Sequence, residues 1–233
     1  MDDVPLIRES LNGQAYARLC RDLKAGRFAP GEKLKLRDIA AEMGISPTPV
    51  REALARLISE QALEQVGHHS VRVPVMSEAR FAEVRELRLL LEGRAASHAA
   101  AQAGAADVQR LEQLHEQMAQ RRDVGDLPGE LLAAEQFHMA VYALADMPVL
   151  QRMIEGLWLQ CGPLMRALST HAMGQPRKQH PHHRVLRGLR KNDAEIARQG
   201  VEEEIDRTTA PILAYLRERS GTAAPSRATR VAA

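Results

Sequence analysis

Only one short stretch of this 233-residue chain breaks a helical rhythm. Leu63-Glu64-Gln65-Val66 and Val71-Arg72-Val73 are short and carry β-branched residues, and Gly67-His68-His69-Ser70 lies between them. That reads as a two-stranded hairpin with a polar tip. Ahead of it, apolar residues recur every three or four positions. Leu11, Ala15, Leu19 and Leu23 predict a helix from Glu9 to Ala25, closed by Gly26 and a Pro30-Gly31 turn. A short helix over Leu36–Met43 stops at Gly44. A third opens at Ile45-Ser46-Pro47-Thr48-Pro49-Val50, with Ser46 as N-cap and a proline in the first turn, where it costs no hydrogen bond. Val50, Leu54, Leu57 and Ile58 give it one apolar stripe. Three helices and a hairpin, with a tight glycine turn between the second and third helices, are the sequence form of a winged helix-turn-helix.

Beyond the hairpin nothing resembles a strand. Helices are expected near 78–102, 105–121, 129–145, 147–169, 181–191 and 193–218, with a loop at Gly174-Gln175-Pro176. Phe81, Val84, Leu87, Leu91 and Ala95 share a face of the first, and Val201, Ile205, Thr209, Ile212 and Leu216 a face of the last. The fold class is mainly α: a winged helix-turn-helix (three helices and a two-stranded wing), then an all-α bundle. The domain reading is a tail over 1–8, the DNA-binding module over 9–73, a linker over 74–77, a helical effector and dimerisation domain over 78–218, and a disordered Ala/Ser/Thr-rich tail over 219–233.

Hydrophobic residues make up 45% of the chain, enough for two cores, but aromatics only 3%, so Leu, Ala, Val, Ile and Met must fill them. No apolar run is long enough to span a bilayer, and MDDVPLIRES lacks the apolar centre of a secretory signal. Cys20 and Cys161 read as small buried residues of a reduced compartment, so a cytoplasmic protein without membrane contact is expected. The net charge of +2 does not by itself announce nucleic acid. Any DNA contact must follow from where the basic residues stand.

The segments Ala25-Gly26-Arg27-Phe28-Ala29-Pro30-Gly31-Glu32-Lys33-Leu34, Leu36-Arg37-Asp38-Ile39-Ala40 and Met43 through Leu54 resemble, in register, the winged helix-turn-helix of the GntR family. The physics agrees: Thr48, Arg51 and Ala55 lie near the start of the third helix, where a recognition helix meets base edges, and Arg pairs bidentately with guanine. The resemblance implies DNA contacts from Arg37, Ser46, Pro47, Thr48 and Arg51, and entry of a wing tip at Gly67, His68 and His69 into the minor groove. Many relatives carry Arg where this chain has Pro47, so its operator preference is expected to differ. A plain solvated helix charge is the competing reading of Arg51, and an ordinary exposed turn that of the two histidines.

Residues 78–218 resemble the FCD effector domain of one large GntR subfamily. The likeness rests on Glu86-Leu87-Arg88-Leu89-Leu90-Leu91-Glu92, on Gln136-Phe137-His138, and on His182-His183-Arg184-Val185-Leu186 followed by Asn192-Asp193-Ala194. It implies a homodimer, an effector cavity and, in many relatives, a metal. Carried over by position, the metal ligands are Ala134 (an Asp in relatives), His138, His182 and Glu204; a register one residue later gives His183 and Ile205 instead. Three N/O ligands and a water can hold zinc or nickel, whereas a solvated acidic face at Glu202–Glu204 is the competing reading. No cofactor is certain. Arg88, His138, Trp158, His182 and His183 are the effector-binding candidates. Arg88 either holds an effector carboxylate or pairs with Glu92 one turn on. The function so implied is a ligand-responsive repressor that binds a palindromic operator as a dimer and answers to a small organic acid. It is not an enzyme: a metal-dependent hydrolase, or a metal-binding helical protein with an accessory DNA module, is the alternative, but the chain shows neither a phosphate loop nor a nucleophile motif.

Overall fold

The computed structural model describes residues 11–66, 70–169 and 180–222. Gly67, His68 and His69, the loop at Gly174-Gln175-Pro176 and both chain ends, including Glu9, lie outside the described residues. Helix α1 (Leu11–Lys24), strand β1 (Lys33–Leu34), helices α2 (Leu36–Met43) and α3 (Pro47–Ser59) and strands β2 (Glu64–Val66) and β3 (Ser70–Arg72) form the N-terminal module. The wing has three strands rather than two. β1 pairs antiparallel with β3, Lys33 opposite Arg72 and Leu34 opposite Val71, giving the order β1-β3-β2. Two residues are too few to show a period-two pattern, so β1 is invisible in the sequence; its pairing depends on Gly31, at φ +85°, turning the chain so that its N–H reaches Val73 O.

Val50, Ala53, Leu54 and Leu57 of α3 are buried against α1. Sealing an aliphatic side chain of this kind contributes roughly 1.5–3 kcal/mol, and the stripe fixes which face of α3 looks outward. Gly44, at φ +67°, makes the left-handed turn that ends α2 and aims α3.

The C-terminal body consists of α4 (Glu78–Gln102), α5 (Ala105–Asp123), α6 (Leu127–Ala143), α7 (Pro148–Ser169), α8 (His182–Lys191) and α9 (Ala194–Thr222). α4 lies along α9, α5 along α6, and α8 folds back on α9. The last pair is in backbone contact: a Cβ on Gly188 would sit 2.4 Å from Ala197 N, and one on Gly200 2.7 Å from Val185 N. α9 runs to Thr222, so its last residues extend the helix beyond the expected boundary at 218. The expected linker is partly anchored, because Met76 is buried with Phe81, Val84, Ile212 and Leu216, and Ser77 Oγ accepts from Arg80 N–H as the N-cap of α4. Leu87, expected on the core face of α4, is 39% exposed; the buried line runs Phe81, Val84, Arg88, Glu92, Ala95. Charged residues take part of the inward stripe because they neutralise each other there.

Candidate functional site

Two places in the fold carry chemistry. The first is the outer face of α3, where Ser46, Pro47, Thr48, Arg51 and Ala55 are all exposed. Arg37 is exposed on α2, and neither Arg37 nor Arg51 has an ion pair among the described residues. The helix is held from behind. Asn12 of α1 donates to Glu52 at 2.7 Å, Tyr16 OH donates to Glu60 at 2.7 Å, and the Arg56 guanidinium lies 3.7 Å over the Tyr16 ring. Ser46 occupies the N-cap position but makes no cap hydrogen bond. Pro49 is the third helical residue and has no N–H to offer, so the usual partner of the serine oxygen is missing. The same two prolines leave Thr48 N–H as one of the few amides this helix end can present to a phosphate.

The second place is a cavity of about 130 Å³ inside the helical body, lined among others by Lys24, Arg88, Ala134, His138, Trp158, His180, Glu204 and Arg207. A dry cavity of about 150 Å³ takes benzene, so this one suits a small metabolite. On one wall the side chains form a chain of contacts. Arg88 Nε donates to Glu92 Oε1 at 2.6 Å, and Tyr142 OH donates to Glu92 Oε2 at 2.6 Å. The phenol oxygen is thereby left to accept from His138 Nδ1 at 3.1 Å, which turns the lone pair of His138 Nε2 inward. His138 Nε2 lies 3.2 Å from His182 Nε2 and 3.2 Å from Glu204 Oε1, and His182 Nε2 lies 3.2 Å from Glu204 Oε2. That second carboxylate oxygen is buried without hydrogen-bond alignment to any partner among the described residues. Across the ring, His182 Nδ1 is 3.1 Å from His115 Nδ1, and Phe137 stacks on His182 at 3.7 Å between centroids.

Burial sets the protonation. It lowers His182, drives His115 down to about 4 and His180 to about 2, so these rings are neutral at physiological pH. Burial alone would lift Glu204; the facing His182 and His138 pull the other way, each favouring the carboxylate to the extent that it carries a proton, and the carboxyl lies well below the usual range. A carboxylate beside imidazole nitrogens with free lone pairs is the donor state a divalent metal requires. A tetrahedral ion with ligands at 2.0–2.1 Å spaces them about 3.3–3.4 Å apart, close to the 3.2 Å between the two imidazole nitrogens; each nitrogen also has a Glu204 oxygen at 3.2 Å, Oε1 for His138 and Oε2 for His182. With His138 and His182 offering Nε2, their outer nitrogens face Tyr142 and His115, the outer-shell partners such ligands usually have. His115, His180 and His182 form a second close group, but His180 Nδ1 is engaged by the His182 N–H and the group has no carboxylate to offset an ion's charge.

Of the candidates named from sequence, Arg88, His138 and Trp158 line the cavity, and His182 and Glu204 stand side by side with His138. His183 is exposed and is not among the lining residues; its ring packs 4.7 Å from His115. Its partner in the alternative register, Ile205, is part of the apolar core. Arg88 is paired with Glu92. Arg207, not singled out from sequence, lines the same cavity with no ion pair among the described residues. His115 was also missed, although its position four after Leu111 and three before Met118 puts it on the buried stripe of α5.

No helix of the described residues is long and apolar enough to cross a membrane. The pattern described as "Bacterial regulatory proteins, gntR family" matches residues 11–73, and the FCD domain pattern matches residues 83–207. The HTH-type transcriptional regulator McbR of Escherichia coli strain K12 is 30% identical over 203 residues, covering 86% of this chain and 92% of that protein. The solved structure of E. coli McbR/YncC superposes with a TM-score of 0.82 at 30% identity, over 91% of this chain and 99% of that one. A probable D-xylose utilization operon transcriptional repressor of Paenarthrobacter nicotinovorans is 25% identical, over 86% of this chain and 88% of that protein. An exposed third helix on a winged module, fused to a hollow helical body and matched along its length by named regulators, makes this chain a member of the GntR family of bacterial transcription regulators, with an FCD domain as its C-terminal body.

Proposed function

We propose that the protein is a dimeric repressor that holds a palindromic operator through α3 and releases it when a small carboxylate enters the helical body. The observation that carries this reading is the cavity itself: a space of metabolite size with a guanidinium on its wall, Arg207, that has no ion pair among the described residues, and the His138–His182–Glu204 group beside it. His138, His182 and Glu204 would hold zinc or nickel, with Ala134 leaving a coordination position open toward the cavity. A metal there supplies a Lewis-acidic anchor for a ligand oxygen. Arg207 neutralises a carboxylate in a setting where an unpaired anion is costly. Trp158 Nε1, buried without a hydrogen-bond partner among the described residues, adds a donor. Leu87 and Leu90 of α4, 39% and 62% exposed, provide an apolar stripe for a second copy. Two rigidly spaced reading helices then match half-sites one helical turn apart, and a change in their spacing costs operator affinity.

The test is selection of bound fragments from a genomic library by the metal-loaded protein, footprinting of the recovered site, and titration with a panel of di- and tricarboxylates. The expected result is a two-fold symmetric footprint released by at least one acid, from a protein that sediments as a dimer. A monomer, or an operator complex indifferent to every acid that binds, overturns the reading.

A further inference from the structure

The DNA-binding module does not merely hang from the helical body; it reaches into it. α1 ends where α6 and α7 pass beneath it, and the approach is backbone to backbone. A Cβ on Gly162 of α7 would lie 2.6 Å from Leu23 O and 2.7 Å from Lys24 Cα. Leu159, also of α7, is 3% exposed inside the core of the DNA-binding module. Arg80 binds Gln61 on one side and Gln160 on the other, each at 2.9 Å. At this seam Lys24 turns its ammonium into the body. Its Nζ is 2.5 Å from Glu135 Oε1, with the two side chains 14% and 11% exposed, and Lys24 lines the same cavity as His138, Glu204 and Arg207. Glu135 is not among the lining residues; it holds Lys24 from behind.

We propose that Lys24 is a ligand-contacting residue of the cavity supplied by the DNA-binding module, and that a carboxylate in the cavity is sensed by drawing this ammonium away from Glu135. The inference rests on the carboxylate reading given above. A largely buried ion pair is held by geometry, because each partner has given up its water and is repaid only by the other. An anion arriving in the cavity offers Lys24 a second acceptor and competes directly with Glu135 for it. The consequence reaches the reading helix through α1. Lys24 is in the last turn of that helix, and the rest of it carries α3 through the Asn12–Glu52 and Tyr16–Glu60 hydrogen bonds and the Arg56–Tyr16 stack. A pull at Lys24 is therefore a pull on the platform of α3. Coupling along such a series of contacts must be shown by its energetic signature and not by adjacency alone.

The experiment uses the full-length, metal-loaded protein with citrate, succinate and glutarate as probes. Calorimetric titration is run on wild type, Lys24→Met, Lys24→Arg and Glu135→Gln, and hydrogen exchange of the Leu11–Lys24 segment is followed with and without the tightest-binding acid. Loss of one charge-assisted hydrogen bond corresponds to about tenfold in affinity or more. Lys24→Met is expected to weaken the acid by about tenfold, Lys24→Arg to recover part of it, and Glu135→Gln to tighten it, since the competitor for the ammonium is gone. In wild type the acid is expected to raise exchange in α1. The opposite signs distinguish a ligand contact from a structural clamp: Lys24→Met and Glu135→Gln break the same ion pair, so a purely structural pair predicts shifts in the same direction. Same-direction shifts, or unchanged α1 exchange at saturation in the wild-type protein, overturn the inference. Failure of every acid to bind overturns the carboxylate reading itself and the inference with it.

Discussion

The outer face of α3 and the Arg88–Glu92 wall of the cavity treat charge in opposite ways. On the reading side Arg37 and Arg51 stand in solvent without acidic partners among the described residues. In the cavity Arg88 is 9% exposed, Glu92 is fully buried, and the two lie 2.6 Å apart with Tyr142 closing the remaining carboxylate oxygen. A solvated cation costs the fold almost nothing to keep or to lose, and it remains available to a phosphate or a guanine edge. A buried one is tolerated only while its partner is present, and breaking the pair leaves an uncompensated charge. The reading face can therefore change its charged residues without endangering the fold, while the cavity wall is bound to its own architecture.

The sharpest way to break that contrast is Glu92→Gln. It leaves Arg88 buried without its anion and takes the phenol's acceptor charge away, so chemical denaturation is expected to show a loss of about 3–5 kcal/mol. Arg51→Ala in the same assay is expected to stay within about 0.5 kcal/mol of wild type. If the two variants unfolded alike, the division of labour between the surfaces would be wrong.

The contrast reverses when operator binding is measured. Arg51→Ala is expected to cost about 1–3 kcal/mol and to relax discrimination at one base pair, since a guanidinium at the start of a recognition helix reads a base edge. Arg37→Ala is expected to weaken all sequences alike and to flatten the salt dependence by about one unit of slope, as loss of a single phosphate contact does. Titrations at several salt concentrations on the footprinted site and on an unrelated duplex separate the two. Equal, sequence-independent losses would move Arg51 from base reading to backbone contact.

The two surfaces also differed in how well the sequence revealed them. The reading module is local: each helix is a few turns long, α1 and α2 stop at Gly26 and Gly44 with left-handed φ, and the α3 stripe of Val50, Leu54 and Leu57 falls at helical spacing, so element order and outward face followed from periodicity. What escaped was β1, two residues whose only reason to be a strand is a partner nearly forty residues on. The cavity is assembled by contacts distant in sequence. His115, His138, His182 and Glu204 come from four helices, and the close packing of α8 on α9 through Gly188 and Gly200 decides that His182 rather than His183 points inward. The spacing of Arg88 and Glu92 hinted at their pairing, but the apolar pattern drew attention to Leu87, which faces out. Lys24 carried no signal at all: its role depends on where α1 docks, which no local pattern encodes.

The smallest expected effect tests the contrast at a single atom type, the serine oxygen at a helix start. Ser77 Oγ accepts from Arg80 N–H at 3.2 Å at the head of α4, in the body; Ser46 holds the same position at the head of α3 and makes no cap hydrogen bond. An ordinary N-cap serine is worth about 1 kcal/mol, because it satisfies an amide that would otherwise be left bare. Ser77→Ala is therefore expected to cost about 1 kcal/mol of stability by denaturant titration and to leave operator affinity unchanged. Ser46→Ala is expected to cost well under that, about 0.3 kcal/mol, since Pro49 has removed the amide a cap would serve. If Ser46 instead contacts the operator, its loss appears in binding and not in unfolding. A Ser46→Ala variant destabilised as much as Ser77→Ala would mean that the serine caps its helix after all, by bonding Thr48 N–H in the absence of DNA, and that this amide is not free for a phosphate.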